Sequence, residues 1–251
     1  EYQMPYFKTT YVCGKTIEVC KGYSKRKKKY ESRNARKELT PEEMAKVNQK
    51  NAEIALRRVL NANFKEYDLH ITCTYRKDQR PTPADAKKLI KKFLNTLRRE
   101  YRKNGEILKY VHVTEYESTA IHHHIVLNAW EHEDVTKAIK KCWKHGKVFF
   151  VHLESNGQYG DLAAYLIKET SKTFRKNDGG HKQRYSCSRN LIRPKPKTEI
   201  IKAERWLPEP KARKGYYIDK DYTENGYSGI TGKPFQRYIM VRISDDTGGF
   251  L

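Results

Sequence analysis

The chain has 251 residues, with 52 Lys and Arg against 30 Asp and Glu and a formal net charge of +22. That length suits one large domain or one domain with extensions, and a basic excess spread along the whole chain favours a polyanionic partner, nucleic acid above all. No window approaches the roughly 20 apolar residues of a membrane span, no signal-peptide pattern opens the sequence, and Cys13, Cys20, Cys73, Cys142 and Cys187 show no CxxC spacing. These features argue against a membrane protein, structural zinc or a disulfide framework, and for a reduced, cytoplasmic protein.

In chain order, the first elements are two short β segments within 6–20, around a turn at Cys13-Gly14-Lys15. Residues 21–37 (KGYSKRKKKYESRNARK) carry nine Lys or Arg and almost nothing apolar. Such a segment cannot bury a core of its own. It reads as a solvated loop or as a nucleic-acid-binding arm, with Lys27 and Lys28 as contacts and Tyr23 and Tyr30 among the charges. A helix is expected over about 41–60, opened by Thr40 as N-cap, Pro41 at the first helical position and Glu43 closing a capping box. Its apolar stripe would be Met44, Val47, Ala55, Leu56 and Val59.

A compact pattern follows. LHITCTY, 69–75, reads as a strand. Thr82 and Pro83 open a strong helix to about Arg102, with Ala86, Leu89, Ile90, Phe93, Leu94 and Leu97 on one face and Lys87, Lys88, Lys91, Arg98 and Arg102 on the other. Strands are expected at 107–115 and 121–129, a helix at 133–143, a strand at 147–154 and a helix at 158–172. The order β-α-β-β-α-β-α predicts an α+β fold: the ferredoxin-like split βαβ core, a central antiparallel sheet flanked by helices. The N-terminal strands are candidates to extend this sheet. Beyond it, 215–219 and 235–243 read as a C-terminal hairpin. The expected organisation is 1–63 (β segments, arm and helix), 64–190 (core domain) and 191–251 (extension).

The core strands carry unusual chemistry at IHHHIVLN, 121–128. Alternate residues of a strand share a face, so His122 and His124 point one way and His123 the other. In an antiparallel hairpin Glu115 of the preceding strand falls near the two imidazoles, with Glu117 as the alternative carboxylate. Two histidines and a carboxylate suit a divalent ion with open positions, Mn²⁺ or Mg²⁺ by the mixed nitrogen and oxygen donors. His112, His145 and His152 read as strand or loop residues, and Trp130, Trp143 and Trp206 as packing residues. On the last core helix, Tyr159, Leu162, Ala163, Leu166 and Thr170 form the inward stripe, while Asp161, Tyr165, Lys168 and Lys172 share a polar face. Tyr165 is therefore a candidate nucleophile and Lys168, one turn on, its electrostatic helper.

With LHITCTY, the histidine pair before IVLN and YLIK in this order, residues 64 to 190 resemble a rolling-circle replication initiator of the HUH endonuclease superfamily, of the single-tyrosine kind found in plasmids, phages and mobile elements. One departure is His123, where the family pattern has an aliphatic residue; a partly buried face would accommodate it. The resemblance implies sequence-specific nicking and rejoining of single-stranded DNA at an origin. Tyr165 would attack the scissile phosphate, polarised by a metal on His122, His124 and Glu115, to give a 5′-phosphotyrosyl intermediate. Arg184, Tyr185 and Arg189 are the best candidates for further DNA contacts. No P-loop pattern is present, so a separate helicase and host replication proteins would be partners. Two alternatives compete. One is a single-tyrosine transposase or a relaxase, the latter disfavoured because Tyr165 follows the histidines. The other is a non-catalytic RNA- or single-stranded-DNA-binding module on the same strand order.

Overall fold

A computed structural model describes residues 6–23, 40–116, 120–130, 135–176, 184–203, 205–228 and 232–243. In chain order the elements are β1 (Tyr6–Cys13), β2 (Thr16–Gly22), α1 (Pro41–Asn63), β3 (Leu69–Cys73), α2 (Pro83–Lys103), β4 (Tyr110–Tyr116), β5 (Ile121–Leu127), α3 (Val135–Cys142), β6 (Val148–His152), α4 (Gly160–Lys176), β7 (Ser186–Cys187), β8 (Lys197–Ile201), β9 (Tyr216–Tyr227) and β10 (Pro234–Arg242). The fold is α+β. It divides into two compact units: Gln49–Ser155 with Tyr159–Ile192, and Glu1–Asn48 with Asn156–Gln158 and Arg193–Leu251.

The first of these units is built on a five-stranded sheet in the order β6-β3-β5-β4-β7, with every pairing antiparallel. Its four strands of the β-α-β-β-α-β run therefore stand in the spatial order 4-1-3-2, the split βαβ arrangement. Alternation along the strands creates two cores. Leu69, Ile71, Cys73, Ile125 and Leu127 face α2 and α3 and pack against Ile90, Phe93, Leu97 and Ile139. Val111, Val113 and Val126 face the other way, against Leu56 and Leu60 of α1 and Ala163, Leu166 and Ile167 of α4.

The helix starts follow from their caps. Thr40 and Glu43 form the reciprocal capping box, with Thr40 N–H donating to Glu43 Oε2 at 2.9 Å and Glu43 N–H to Thr40 Oγ1 at 3.2 Å. Thr82 Oγ1 accepts from Asp85 N–H at 3.2 Å, and Pro83 sits where no N–H is needed. The apolar stripe expected for α1 is corrected: Met44 and Ala55 are exposed, and Ile54, Leu56 and Leu60 are the buried residues.

The expectation that the N-terminal strands extend this sheet is also corrected. β1 and β2 belong to the second unit, in a sheet of order β8-β1-β2-β10-β9. There β2 pairs with β10 of the C-terminal hairpin, and Ile17 and Val19 bury against Tyr238 and Met240. Two hairpins from opposite ends of the sequence thus complete one another, each covering an edge the other would leave open. Glu18, buried in this sheet, is held by Arg237 at 3.5 Å.

Candidate active site

The β4–β5 register places Glu115 directly opposite His122 and Val113 opposite His124. Directly opposed residues point to the same face, so Glu115, His122 and His124 project together towards α4. Glu115 Oε2 accepts hydrogen bonds from His124 Nε2 at 3.1 Å and from His122 Nδ1 at 3.4 Å. Thr72, opposite His124 on β3, lies 3.2 Å from its Nδ1. With the His124 Nε2 proton directed at Glu115, the Thr72 hydroxyl donates to Nδ1. The same hydroxyl can accept instead, so it holds the ring in either tautomer. Glu115 and His124 are buried and His122 is half-buried.

α4 brings two more groups to this point. The Tyr165 ring stands edge-on to His124, centroids 5.4 Å apart and planes at 88°. Tyr165 also meets His70 at 6.2 Å, and His70 stacks on His124 at 5.6 Å. Tyr165 remains 41% exposed, so a macromolecular substrate can reach it. One turn further along α4, the Glu169 side chain hydrogen-bonds Glu115. Lys168 is exposed on the same helix.

The electrostatics follow from burial and these contacts. Burial by itself would raise the Glu115 carboxyl, but hydrogen bonds with Glu169, His124 and His122 outweigh it and hold the group below its ordinary value. Burial lowers His124 despite the opposing pull of Glu115. Burial, followed by the neighbouring His124, brings His70 down to about 4. The imidazoles are thereby kept neutral, the form in which they can ligate a metal.

Among the described residues, no group of three or more His, Cys, Asp or Glu stands arranged to hold a metal ion. The donors instead satisfy one another through the shared oxygen of Glu115. Their chemistry still fits a divalent ion: two neutral imidazoles and a carboxylate on two paired strands, with a second carboxylate in contact. Two touching carboxyl groups must share a proton or a cation, since like charges at that distance cannot both stand bare.

Glu115, His122, His124 and Tyr165 are thus brought together, with Lys168 on the same helix as Tyr165. Lys27, Lys28 and Glu117 lie outside the described residues. Arg184, Tyr185 and Arg189 lie on or beside β7, which pairs with β4 at Val111 and His112 rather than at Glu115. Tyr185 packs partly into the core below α4, and Arg189 lines a cavity of about 430 Å³ with Arg98, Arg102 and Tyr110. Sequence reasoning missed His70 and Glu169. His70 alternates with Thr72 on β3, and Glu169 lies four residues after Tyr165, so strand and helix periodicity carry both signals. His70 Nε2 is buried with no hydrogen-bond partner among the described residues.

The partly buried face expected for His123 is corrected: its side chain is wholly buried, with 0% exposed. It is satisfied by a polar chain through the core on the α2 side. Tyr75 Oη lies 2.9 Å from His123 Nε2, His123 Nδ1 lies 3.1 Å from His112 Nε2, and His112 Nδ1 lies 3.1 Å from Ser186 Oγ. Each ring can give one N–H and accept at its other nitrogen, so the chain runs in one direction without an orphan. Burial pushes His112 down to about 4 and His123 well below its usual value.

The family model for the replication-associated protein ORF2 matches residues 68–174, which span β3 to α4 and include every member of the cluster around His124. Neither the curated proteins nor the solved structures compared with the chain give a match. The family match supports a replication-associated role with DNA as partner. No described helix is long and apolar enough to cross a membrane.

Proposed function

We propose that this protein nicks and rejoins single-stranded DNA at a replication origin, by a tyrosine endonuclease reaction of the HUH type that initiates rolling-circle replication. The observation that carries this reading is the stance of Tyr165, edge-on to His124 and exposed beside the Glu115–His122–His124 cluster. A nucleophile, phosphate-directed cations and metal-ligating groups converge, as phosphodiester exchange requires.

The Tyr165 oxygen attacks the scissile phosphorus in line. A phosphorus–oxygen bond to tyrosine forms as the bond to the 3′ oxygen breaks, and the phenol proton is balanced by the proton taken up at the released 3′-hydroxyl. One phosphodiester replaces another, so a 3′-hydroxyl can later reverse the step and rejoin ends. His122, His124 and Glu115 would hold Mn²⁺ or Mg²⁺, with Glu169 adjoining, and the bound ion supplies Lewis-acid polarisation of the phosphate. Thr72 holds His124 in orientation. Lys168 places an ammonium group near charge developing on the phosphate. A separate helicase would open the duplex.

The test is incubation with labelled single-stranded DNA from a pooled library and Mn²⁺, followed by denaturing electrophoresis. An SDS-resistant adduct is expected, absent with EDTA and in Tyr165→Phe. Binding without any adduct would instead identify a non-catalytic nucleic-acid module.

A further inference from the structure

β6 is the edge strand of the active-site sheet. Its inward residues, Val148 and Phe150, pack on the core beneath α2 and α3. A strand half-covered in this way ordinarily carries polar residues at the alternate positions. Here those positions are Phe149 and Val151, which are 56% and 59% exposed. An open edge bearing apolar side chains is a hazard that folded proteins avoid unless something covers it.

The register says where this strip points. Phe149 is opposite Thr72 and Val151 opposite His70, and Thr72 is in turn opposite His124. Phe149, Thr72 and His124 therefore form one row across three strands on the face that carries the candidate active site. Two strand spacings put Phe149 about 10 Å from His124. The strip is continuous with the place where a phosphodiester would be cut, and exposed Lys147 precedes it. An occupant must combine flat apolar surface with negative charge, and unpaired nucleotides do so.

We propose that the outer face of β6, centred on Phe149 and Val151, seats unpaired bases of single-stranded DNA that flank the phosphate attacked by Tyr165. Phe149 stacks on one base, Val151 packs against the edge of the next nucleotide, and the row through Thr72 leads the backbone to His124. The inference takes its DNA partner from the nicking reading, but it concerns binding and stands apart from cleavage.

The experiment measures fluorescence anisotropy of a labelled 20-nucleotide oligothymidylate with the full chain in EDTA, so that no cleavage intervenes. Stacking on an aromatic side chain tolerates any base, and its loss on alanine substitution corresponds to about five- to hundredfold in affinity. Phe149→Ala is expected to weaken binding by a factor in that range and Val151→Ser by less, both with unchanged circular dichroism. Phe149→Trp should bind like the wild type and show quenching of its indole emission by the oligonucleotide. Affinity for a 20-base-pair duplex should not change in Phe149→Ala. Equal affinity of Phe149→Ala and wild type for the oligothymidylate would overturn the inference, as would no wild-type binding. So would a shift from dimer to monomer in Phe149→Ala at unchanged DNA affinity, since a second copy of the chain would then be the occupant. Loss of the adduct in Tyr165→Phe with DNA affinity retained keeps the two readings separable: cleavage fails with Tyr165, base seating with Phe149.

Discussion

His123→Leu tests whether the middle histidine is a structural residue. The substitution restores an aliphatic side chain of similar bulk at a position with no solvent exposure. It removes the partner of Tyr75 Oη at 2.9 Å and one of the two partners of His112 Nε2, which keeps Thr114 Oγ1 at 3.2 Å. An unsatisfied buried hydroxyl costs about 1–3 kcal/mol, and the lost bond to His112 about 1 kcal/mol more. Extra apolar burial offsets about 1 kcal/mol of this. The expected net loss is about 2 kcal/mol, read as a lower urea midpoint at unchanged slope. Tyr75→Phe in the same background should recover about half of the loss, because removing both partners of a hydrogen bond is nearly neutral. Adduct formation per folded molecule should persist, since His123 faces away from His122 and His124. A His123→Leu protein as stable as the wild type would refute the polar-chain argument. A folded His123→Leu protein without activity would refute the division of the strand's two faces.

The buried imidazoles predict an acid limit. His112 has its folded-state pKa depressed to about 4, so the unfolded chain binds the proton first as pH falls. Stability is full above about pH 6.5 and is lost down to about pH 4, by roughly 3 kcal/mol from His112 alone; urea midpoints at pH 7.5, 5.5 and 4.5 that do not fall would contradict this. Glu169→Gln should lower Mn²⁺ affinity by roughly 10- to 100-fold in calorimetry, while leaving the metal-free melting temperature no lower than that of the wild type, because the Glu115–Glu169 carboxyl contact is relieved. Unchanged Mn²⁺ affinity would remove Glu169 from the site. Gly146→Ala would place a methyl group 2.1 Å from the carbonyl oxygen of Thr74, where backbone must move; a loss of about 1–3 kcal/mol is expected, and a neutral thermal melt would show that this loop yields freely.

The parts of the fold legible in the sequence were those written in local chemistry. The Thr40–Glu43 capping box and the Thr82 cap mark their helix starts in both readings. The strand order of the site-bearing sheet follows from β-α-β-β-α-β succession, since short connections leave few topologies. Partnership between distant segments was not legible. Nothing local to Thr16–Gly22 says that its partner is Pro234–Arg242 rather than the nearer sheet, because every edge strand offers the same backbone groups. The candidate site shows the same division. Glu115 and the two histidines lie in one hairpin, so register brings them together. His70 joins through a strand more than fifty residues earlier, and Glu169 through helix packing, where sequence separation hides adjacency.

Three consecutive histidines make sense only when the strand is divided by face. On one side His122 and His124 meet Glu115, and beyond it Tyr165 and Glu169, with affinity for a cation as their common property. On the other side His123 is tied to Tyr75 and His112. An aliphatic residue there would leave β5 held by packing alone, free to shift by fractions of an ångström. A hydrogen-bonded ring fixes the strand both laterally, through His112 on β4, and towards the end of β3, through Tyr75. Ligands a strand apart need that precision, because metal geometry tolerates only small errors. On this account His123→Leu should broaden Mn²⁺ electron paramagnetic resonance lines and weaken Mn²⁺ binding a few-fold while sparing the Tyr165 adduct. A Mn²⁺ spectrum and affinity indistinguishable from wild type would confine His123 to stability.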